Sequence, residues 1–583
     1  MWIIPRNLRH SVRRACWAAF LTGLSPCLAA PPSASASAAT DSPIRFTDVT
    51  RQTGIDFVHT DGSSGQRYIV ETVSAGIATF DYDNDGLTDI LFLNGAPLGQ
   101  ATTNTPSTCR LYRNEGGWRF TDVTQRAGLA IPCYALGVAV ADYDNDGDAD
   151  LFLDNFGPNL LFRNRGDGTF EEVAAAAGVA GTATHVGAGT VFLDMDGDGD
   201  LDLYVGHYIG LTFARHHIVR FNGHPAYVGP LNYPTTASCL YRNNGDGTFT
   251  DVSVASGIGT HEGAAMGVVA ADFDGDGDTD IFVGNDETGN FLFVNDGRGR
   301  FQESGLLRGV GYDAAGRAHG TMGVDCGDFD NDGQLDFYAT SFQREAPVLY
   351  RNRGKGLFED VTAMTGAGAR MAALVTWGCG IVDLDNDGHR DLFIAAGHLQ
   401  DNVELYDSST TYHQRNRVLR NLGNGKFADV TAQSGDGMRV ELSSRGAAFD
   451  DLDNDGDLDV VILNSRREPT VLRNDTPPAH RWLQVRLRGT TTNRDGVGAR
   501  VIVRAGDLTL TDEVHSGRSY QSHFGTRLQF GLGPRDRVDE VEVRWIGGGT
   551  NRIRNPEINR VLTVTEAPNS EGATAAPASA LKN

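Results

Sequence analysis

Asp142-Tyr143-Asp144-Asn145-Asp146-Gly147-Asp148-Ala149-Asp150 runs directly into Leu151-Phe152-Leu153. Carboxylates at alternate positions, with a glycine at the sixth where the backbone must turn sharply, aim several oxygens at one point. That donor set suits a hard cation such as Ca²⁺, which takes six to eight oxygens in irregular geometry. Without a cation, so many like charges in one turn would repel each other. An EF-hand would need a glutamate at the twelfth position and a helix after the loop. Here the twelfth position is Leu153, inside a short apolar run that reads as a strand.

The pattern occurs seven times in the chain, always with aspartate at positions one, three, five and nine. The first copy is Asp81, Asp83, Asp85 and Asp89, and the second is Asp142, Asp144, Asp146 and Asp150. Asp194, Asp196, Asp198 and Asp202 form the third, and Asp272, Asp274, Asp276 and Asp280 the fourth. The last three are Asp328, Asp330, Asp332, Asp336; Asp383, Asp385, Asp387, Asp391; and Asp451, Asp453, Asp455, Asp459. These residues are the expected ligands of about seven Ca²⁺, mainly structural, with the position-seven carbonyl adding an oxygen. Gln334 and His389 at that position are compatible, because only their backbone is needed.

The repeat around the loop is longer. A glycine stands five residues before each first aspartate: Gly76, Gly137, Gly189, Gly267, Gly323, Gly378 and Gly446. That offset marks a strand A of small and apolar residues before the loop, and strand B follows it. Strand C reads Leu111-Tyr112-Arg113-Asn114 or Leu240-Tyr241-Arg242-Asn243, and a Gly-rich turn leads to strand D, as in Phe249-Thr250-Asp251-Val252. Period and turn chemistry describe four-stranded antiparallel blades. The seventh copy ends at strand C, Val471-Leu472-Arg473-Asn474, while Phe46-Thr47-Asp48-Val49 near the start matches strand D. Pairing these two would close a ring and remove two exposed edges. The fold class expected is all-β: a seven-bladed β-propeller over 44–476, followed by a small β-sandwich-like domain over 480–566.

The formal charge of −25 excludes nucleic acid and an anionic membrane surface as natural partners. Thirty-two of the acids lie in the seven loops, so the excess belongs mostly to cation chemistry. Arg6, Arg9, Arg13 and Arg14 precede an apolar run from Ala15 to about Ala30, which reads as an export signal within 1–39. No later segment is long and apolar enough to span a bilayer, so a periplasmic, cell-surface or extracellular location is expected. The Ala-, Pro-, Ser- and Thr-rich stretch 567–583 reads as a disordered tail. Beyond the leader stand five cysteines, Cys109, Cys133, Cys239, Cys326 and Cys379. This is too sparse a set for a disulfide framework, although Cys109 and Cys133 could pair after export.

The repeats resemble the FG-GAP/VCBS repeats of integrin α-chain propellers, whose Ca²⁺ loops join strands A and B. The segment 480–566 resembles the ASPIC/UnbV module that follows such propellers in cartilage-acidic-protein-like secreted proteins. The matching residues are Asp495-Gly496-Val497-Gly498-Ala499-Arg500-Val501, Ser516-Gly517-Arg518-Ser519-Tyr520, Phe530-Gly531-Leu532-Gly533 and Val541-Glu542-Val543-Arg544-Trp545. Where that family usually continues Pro-Ser-Gly, this chain has Ile546-Gly547-Gly548.

Since the loops are A–B hairpin ends, strand A starts and strand B ends gather on the opposite face, with the long connections 95–109, 207–238 and 399–417. That face is the expected ligand surface, with Glu71, His185, His207, Glu262, His319, His398 and Glu441 as candidates to ring the channel mouth. No serine elbow, phosphate-cradling loop or nucleotide fingerprint is present. The expected function is a binding or adhesion-type module for a protein or glycan ligand. The alternatives are a polysaccharide lyase or hydrolase using carboxylates and histidines of that face, and a scaffold of an exported complex.

Overall fold

The computed structural model describes residues 43–73, 76–98, 107–182 and 185–567. The expected leader over 1–39 and nearly all of the expected tail lie outside these residues.

Seven four-stranded antiparallel sheets form the larger part of the protein. In blade one the strands are A (Ile77–Phe80), B (Asp89–Phe92), C (Arg110–Asn114) and D (Phe120–Asp122), hydrogen-bonded in that order. In blade seven, A (Ser444–Asp450), B (Asp459–Asn464) and C (Thr470–Asn474) are completed by Phe46–Asp48 from the other end of the chain. The register is Phe46↔Asn474, Thr47↔Arg473 and Asp48↔Leu472, so the ring closes as the repeat pattern requires.

Each strand A packs against strand A of both neighbouring blades, the first against the seventh. The glycine register follows from that crowding. A Cβ on Gly137 would lie 1.9 Å from the Ala188 carbonyl oxygen of blade three, and one on Gly323 would lie 2.1 Å from the Trp377 oxygen of blade six. Only a residue without Cβ lets the backbones approach so closely. The strand C asparagine links one blade to the next. Asn164 Nδ2 donates to the Tyr82 carbonyl of the blade before it, and Asn243, Asn295, Asn352, Asn421 and Asn474 repeat the bond. Asn114 donates to the Leu452 carbonyl at 2.8 Å and completes the circle across the ring closure.

The C-terminal strands form two sheets. Arg481–Arg488 pairs antiparallel with Leu528–Gly533 and parallel with Val561–Thr565. Arg500–Ala505, Leu508–Glu513, Glu540–Arg544 and Thr550–Arg554 make the other. Their apolar residues, among them Val501, Leu510 and Trp545, merge into one cluster with Phe192 and Leu203 of blade three. This module sits over the aspartate loops. Arg486 reaches Asp81, Gln484 Nε2 donates to Asp451 Oδ2, the Asp142 amide donates to Asp495 Oδ2, and Arg500 donates to the Asp272 carbonyl.

From the module a segment, Val514–Phe524, enters the axis of the ring. The A strands are the inner edges of their sheets, and a bare edge presents unpaired N–H and C=O groups. The segment pairs with them: Phe192 N donates to Ser516 O, Ser519 and Val324 exchange two bonds, His523 N donates to Ile77 O and Thr79 N to His523 O. Arg518 Nε contacts Asp325 at 2.6 Å, and Tyr520 Oη donates to Val73 O at 2.5 Å. Ser519, Tyr520 and His523 are completely buried. The channel is therefore filled from the loop face, and the opposite face stays open.

Candidate calcium loops and ligand cavity

The loops share one hydrogen-bond scheme, seen in blade two. Asp142 Oδ1 accepts from Asp146 N and Oδ2 from Gly147 N at 2.9 and 2.7 Å. Asp146 Oδ1 accepts from Asp148 N, while Asp150 accepts from Tyr143 N and Asn164 N. Position six is a left-handed glycine, such as Gly147 at φ 103°. Position four is also left-handed in every loop. It is Asn84, Asn145, Asn331, Asn386 or Asn454 at φ 56–60°, and Gly197 or Gly275 elsewhere, the residue types that tolerate that region. Sequence reasoning passed over this position, although the alternation of only Asn and Gly there was its mark.

The oxygens left over decide what the loops hold. Oδ1 of Asp83, Asp144, Asp196, Asp274, Asp330, Asp385 and Asp453, the third position of all seven loops, is buried and accepts no hydrogen bond. A buried carboxylate oxygen without a donor is costly. Here seven equivalent ones face the centres of their loops. Carboxylate oxygens of Asp81, Asp83 and Asp85, and likewise of Asp142, Asp144 and Asp146, lie within 4.8 Å of one another. Burial pushes Asp142 up to about 7 and Asp89 to about 8, which reports crowded, desolvated anions. The outer oxygens are neutralised by arginines: Arg113 on Asp83 and Asp85, Arg351 on Asp330, Arg420 on Asp385, Arg242 on Asp196. In blade four strand C carries Val294 instead, and Arg308 reaches Asp274 from the helical turn Gly305–Arg308. All-oxygen donors with an orphan oxygen aimed inward fit a hard cation such as Ca²⁺.

On the opposite face a cavity of about 720 Å³ opens at the ring axis. Met266, Met322 and Trp377 of the strand A region line it, with Tyr208 and Asp286 from strand B ends. Its walls come from the long connections, including Phe221 and Tyr227 of 207–238 and Gln400 and Asp407 of 399–417. Trp377 is backed by the Arg445 guanidinium, 4.1 Å from its ring, and by Tyr520 of the axial segment, edge-on at 5.0 Å. Asp286 Oδ2 accepts from Tyr208 Oη at 2.6 Å, and burial pushes its carboxyl up to about 7. Beside it Glu287 is held at φ 59°, and burial and then the charge of Glu345 raise its carboxyl. A non-glycine residue there stores strain of the kind that collects at ligand sites.

Of the seven ligand-face candidates, His398 lines this cavity; burial pulls its imidazole down to about 4. Glu71 stands one step behind, accepting from Tyr227 Oη at 3.0 Å and from Ser64. The His185 and His207 rings lie against each other, tilted by 43° with centroids 4.0 Å apart, and His207 Nδ1 meets Ala237 O. His319 is bound to Asp313, Glu441 to Arg415, and Glu262 accepts from Thr235. Those five do not ring the mouth as expected. Asp286, Glu287, Tyr208 and Trp377, which line it, were absent from the sequence candidates. Strand ends fix a face but not a distance from the axis, and the connections decide which ends stay open.

The family models agree with these observations. The FG-GAP-like repeat matches residues 81–153, 152–205, 228–283, 272–339, 328–394 and 383–462, more than half of the chain. The chain belongs to the FG-GAP-like repeat family. ASPIC and UnbV matches residues 489–571. Cartilage acidic protein 1 of Mus musculus is 26% identical over 325 residues, 54% of this chain and 47% of its own length. The chain thus spans about half the length of the curated relatives it matches. Integrin alpha-4 of Xenopus laevis is 27% identical over 209 residues, 33% of this chain and 20% of its own. Among solved structures, rhamnogalacturonan lyase YesW aligns over 74% of this chain and 75% of its own, with 13% identity and a TM-score of 0.35. That likeness is too loose to bear on chemistry. No helix among the described residues is long and apolar enough to cross a membrane.

Proposed function

We propose that this FG-GAP-like chain is an exported, calcium-stabilised binding module that takes a protein or glycan ligand on the face its C-terminal module leaves open. The single observation behind this reading is the 720 Å³ cavity at the ring axis, where the rings of Phe221 and Tyr406, 5.4 Å apart, reach solvent above buried Trp377, Tyr208 and Tyr227, with acids and amides between them. Aromatic faces with a few convergent polar groups suit a sugar ring or an aromatic-rich peptide. Aspartates at loop positions one, three, five and nine, with the position-seven carbonyl, would hold Ca²⁺. The bound cation would supply the positive charge those crowded carboxylates lack. The loops and the axial segment keep the seven blades in register, so the cavity walls stand on a rigid frame.

One observation favours a second reading, polysaccharide-active chemistry: Asp286, with its carboxyl near 7, lies beside Glu287 in the same cavity. A carboxyl poised near neutrality can serve as a general acid or base. A glycan array with and without Ca²⁺, run beside turnover assays on the same sugars, separates the two. Binding that is lost in Phe221→Ala without turnover supports the module. Turnover abolished in Asp286→Asn moves the assignment to an enzyme, and binding untouched by Phe221→Ala removes the cavity from both.

A further inference from the structure

We propose that Cys109 and Cys133 form a disulfide that clasps blade one to blade two on the open face. The Sγ atoms lie 3.7 Å apart. Cys109 is the residue before strand C of blade one, and Cys133 stands two residues before strand A of blade two (Ala135–Ala141). The two segments are already held together, because Thr108 and Pro132 form an antiparallel bridge and Asn94 ties both sides, donating to Thr108 O and accepting from Ala135 N. Bond formation has to close this 3.7 Å to about 2 Å. The other thiols have no such neighbour. Cys326 and Cys379 are buried, with His515 and the Tyr338 carbonyl beside them, and Cys239 lies on blade three.

The pair is also divided chemically. Cys109 is buried and its thiol is raised by its contact with Cys133, while Cys133 is partly exposed and lowered by the same contact. Cys133, the partly exposed member, is the thiol an external disulfide can reach, and so it attacks first. It attacks an incoming disulfide, forming a mixed disulfide and releasing one thiolate. The Cys109 thiolate, having given its proton to solvent, then attacks Cys133 Sγ and releases the second. Two protein thiols are oxidised and one external disulfide is reduced to two thiols. The clasp ties the residue before strand C of blade one to the approach to strand A of blade two, so the open face would be stiffened at that seam. Its presence in the cell rests on the export reading, since oxidising compartments are where such bonds persist.

The test separates the two. Purified full chain is reduced, incubated with oxidised glutathione, alkylated and digested with trypsin. The expected result is a linked pair of peptides, one ending at Arg110 and one beginning at Ala127, with two glutathiones released per chain and Cys239, Cys326 and Cys379 still alkylated. Cys109→Ser should stop at a glutathione mixed disulfide on Cys133, and Cys133→Ser should react far more slowly. The oxidised wild type should melt a few degrees above the reduced form, a gap that both variants lose. Free thiols at both positions after oxidation, or equal behaviour of the two serine variants, overturns the proposal. A bond that forms in vitro but is absent from protein recovered from an exporting host overturns the export reading and leaves the clasp standing.

Discussion

Replacing Tyr520 by alanine tests whether the C-terminal segment is seated in the ring axis. Tyr520 is fully buried, its ring lies edge-on to Trp377 at 5.0 Å, and its hydroxyl donates to Val73 O at 2.5 Å. Truncating a buried aromatic ring to alanine costs about 3–5 kcal/mol, the lost transfer energy plus the cavity left behind. Phenylalanine keeps the ring and removes only the hydroxyl. The Gln521 amide, turned so that its nitrogen faces Val73 O at 3.0 Å, still supplies that carbonyl with a donor. Tyr520→Phe should therefore cost only about 1 kcal/mol. Urea unfolding in saturating Ca²⁺, followed by near-ultraviolet circular dichroism, reads both. The alanine variant should also weaken the tryptophan bands, because Trp377 loses the ring behind it. If Tyr520→Ala unfolds within about 1 kcal/mol of the wild type, the axial seat is wrong and the module is merely tethered.

Three further outcomes are expected. Chelation should lower the thermal midpoint by more than about 10 °C, since a site at a thousandfold excess of free cation over Kd adds about 4 kcal/mol; an unchanged melt in excess EDTA refutes the loop assignment. Gly137→Ala should destabilise by at least about 3 kcal/mol in the same urea assay, because its Cβ meets backbone, not a movable side chain, at 1.9 Å. Acid should unfold the protein through His59, His515 and His523, each buried and pulled down to about 3. Their folded values lie below the unfolded 6.5, so the unfolded chain takes up the protons. Their share of the stability is full above about pH 6.5 and falls toward pH 3, by about 1.4 kcal/mol per pH unit for each of the three. Urea midpoints between pH 7.5 and 5, in saturating Ca²⁺, check this, and His523→Gln should remove about 1.4 kcal/mol per pH unit from the slope.

Much of this architecture is legible in the chain because its determinants are local. Asp at one, three, five and nine, Gly at six and the Leu-Tyr-Arg-Asn strand each work within a few residues, so repetition exposes them. Closure was legible for the same reason, since Phe46–Asp48 carries the strand D pattern out of place. The axial segment was not. His515, Arg518 and His523 are polar and follow neither a 2.0 nor a 3.6 period, so they read as surface. They are buried because their partners are the inner edges of A strands remote in sequence: Ala270 O, Asp325 and Ile77 O. The cavity escaped for a related cause. Trp377 and Met322 read as ordinary strand residues, and only the ring brings them to one place, whereas Glu262 and Glu441 end outside it.

Closure of the ring by Phe46–Asp48 against Thr470–Asn474 has a consequence for how the protein comes into being. The strand made early must wait, with one side bare, until some 420 further residues have left the ribosome. The axle follows later still, from residues 514–524. Assembly is therefore a late, concerted event, and a nascent chain interrupted before it presents an open wheel of unpaired blades to proteases and chaperones.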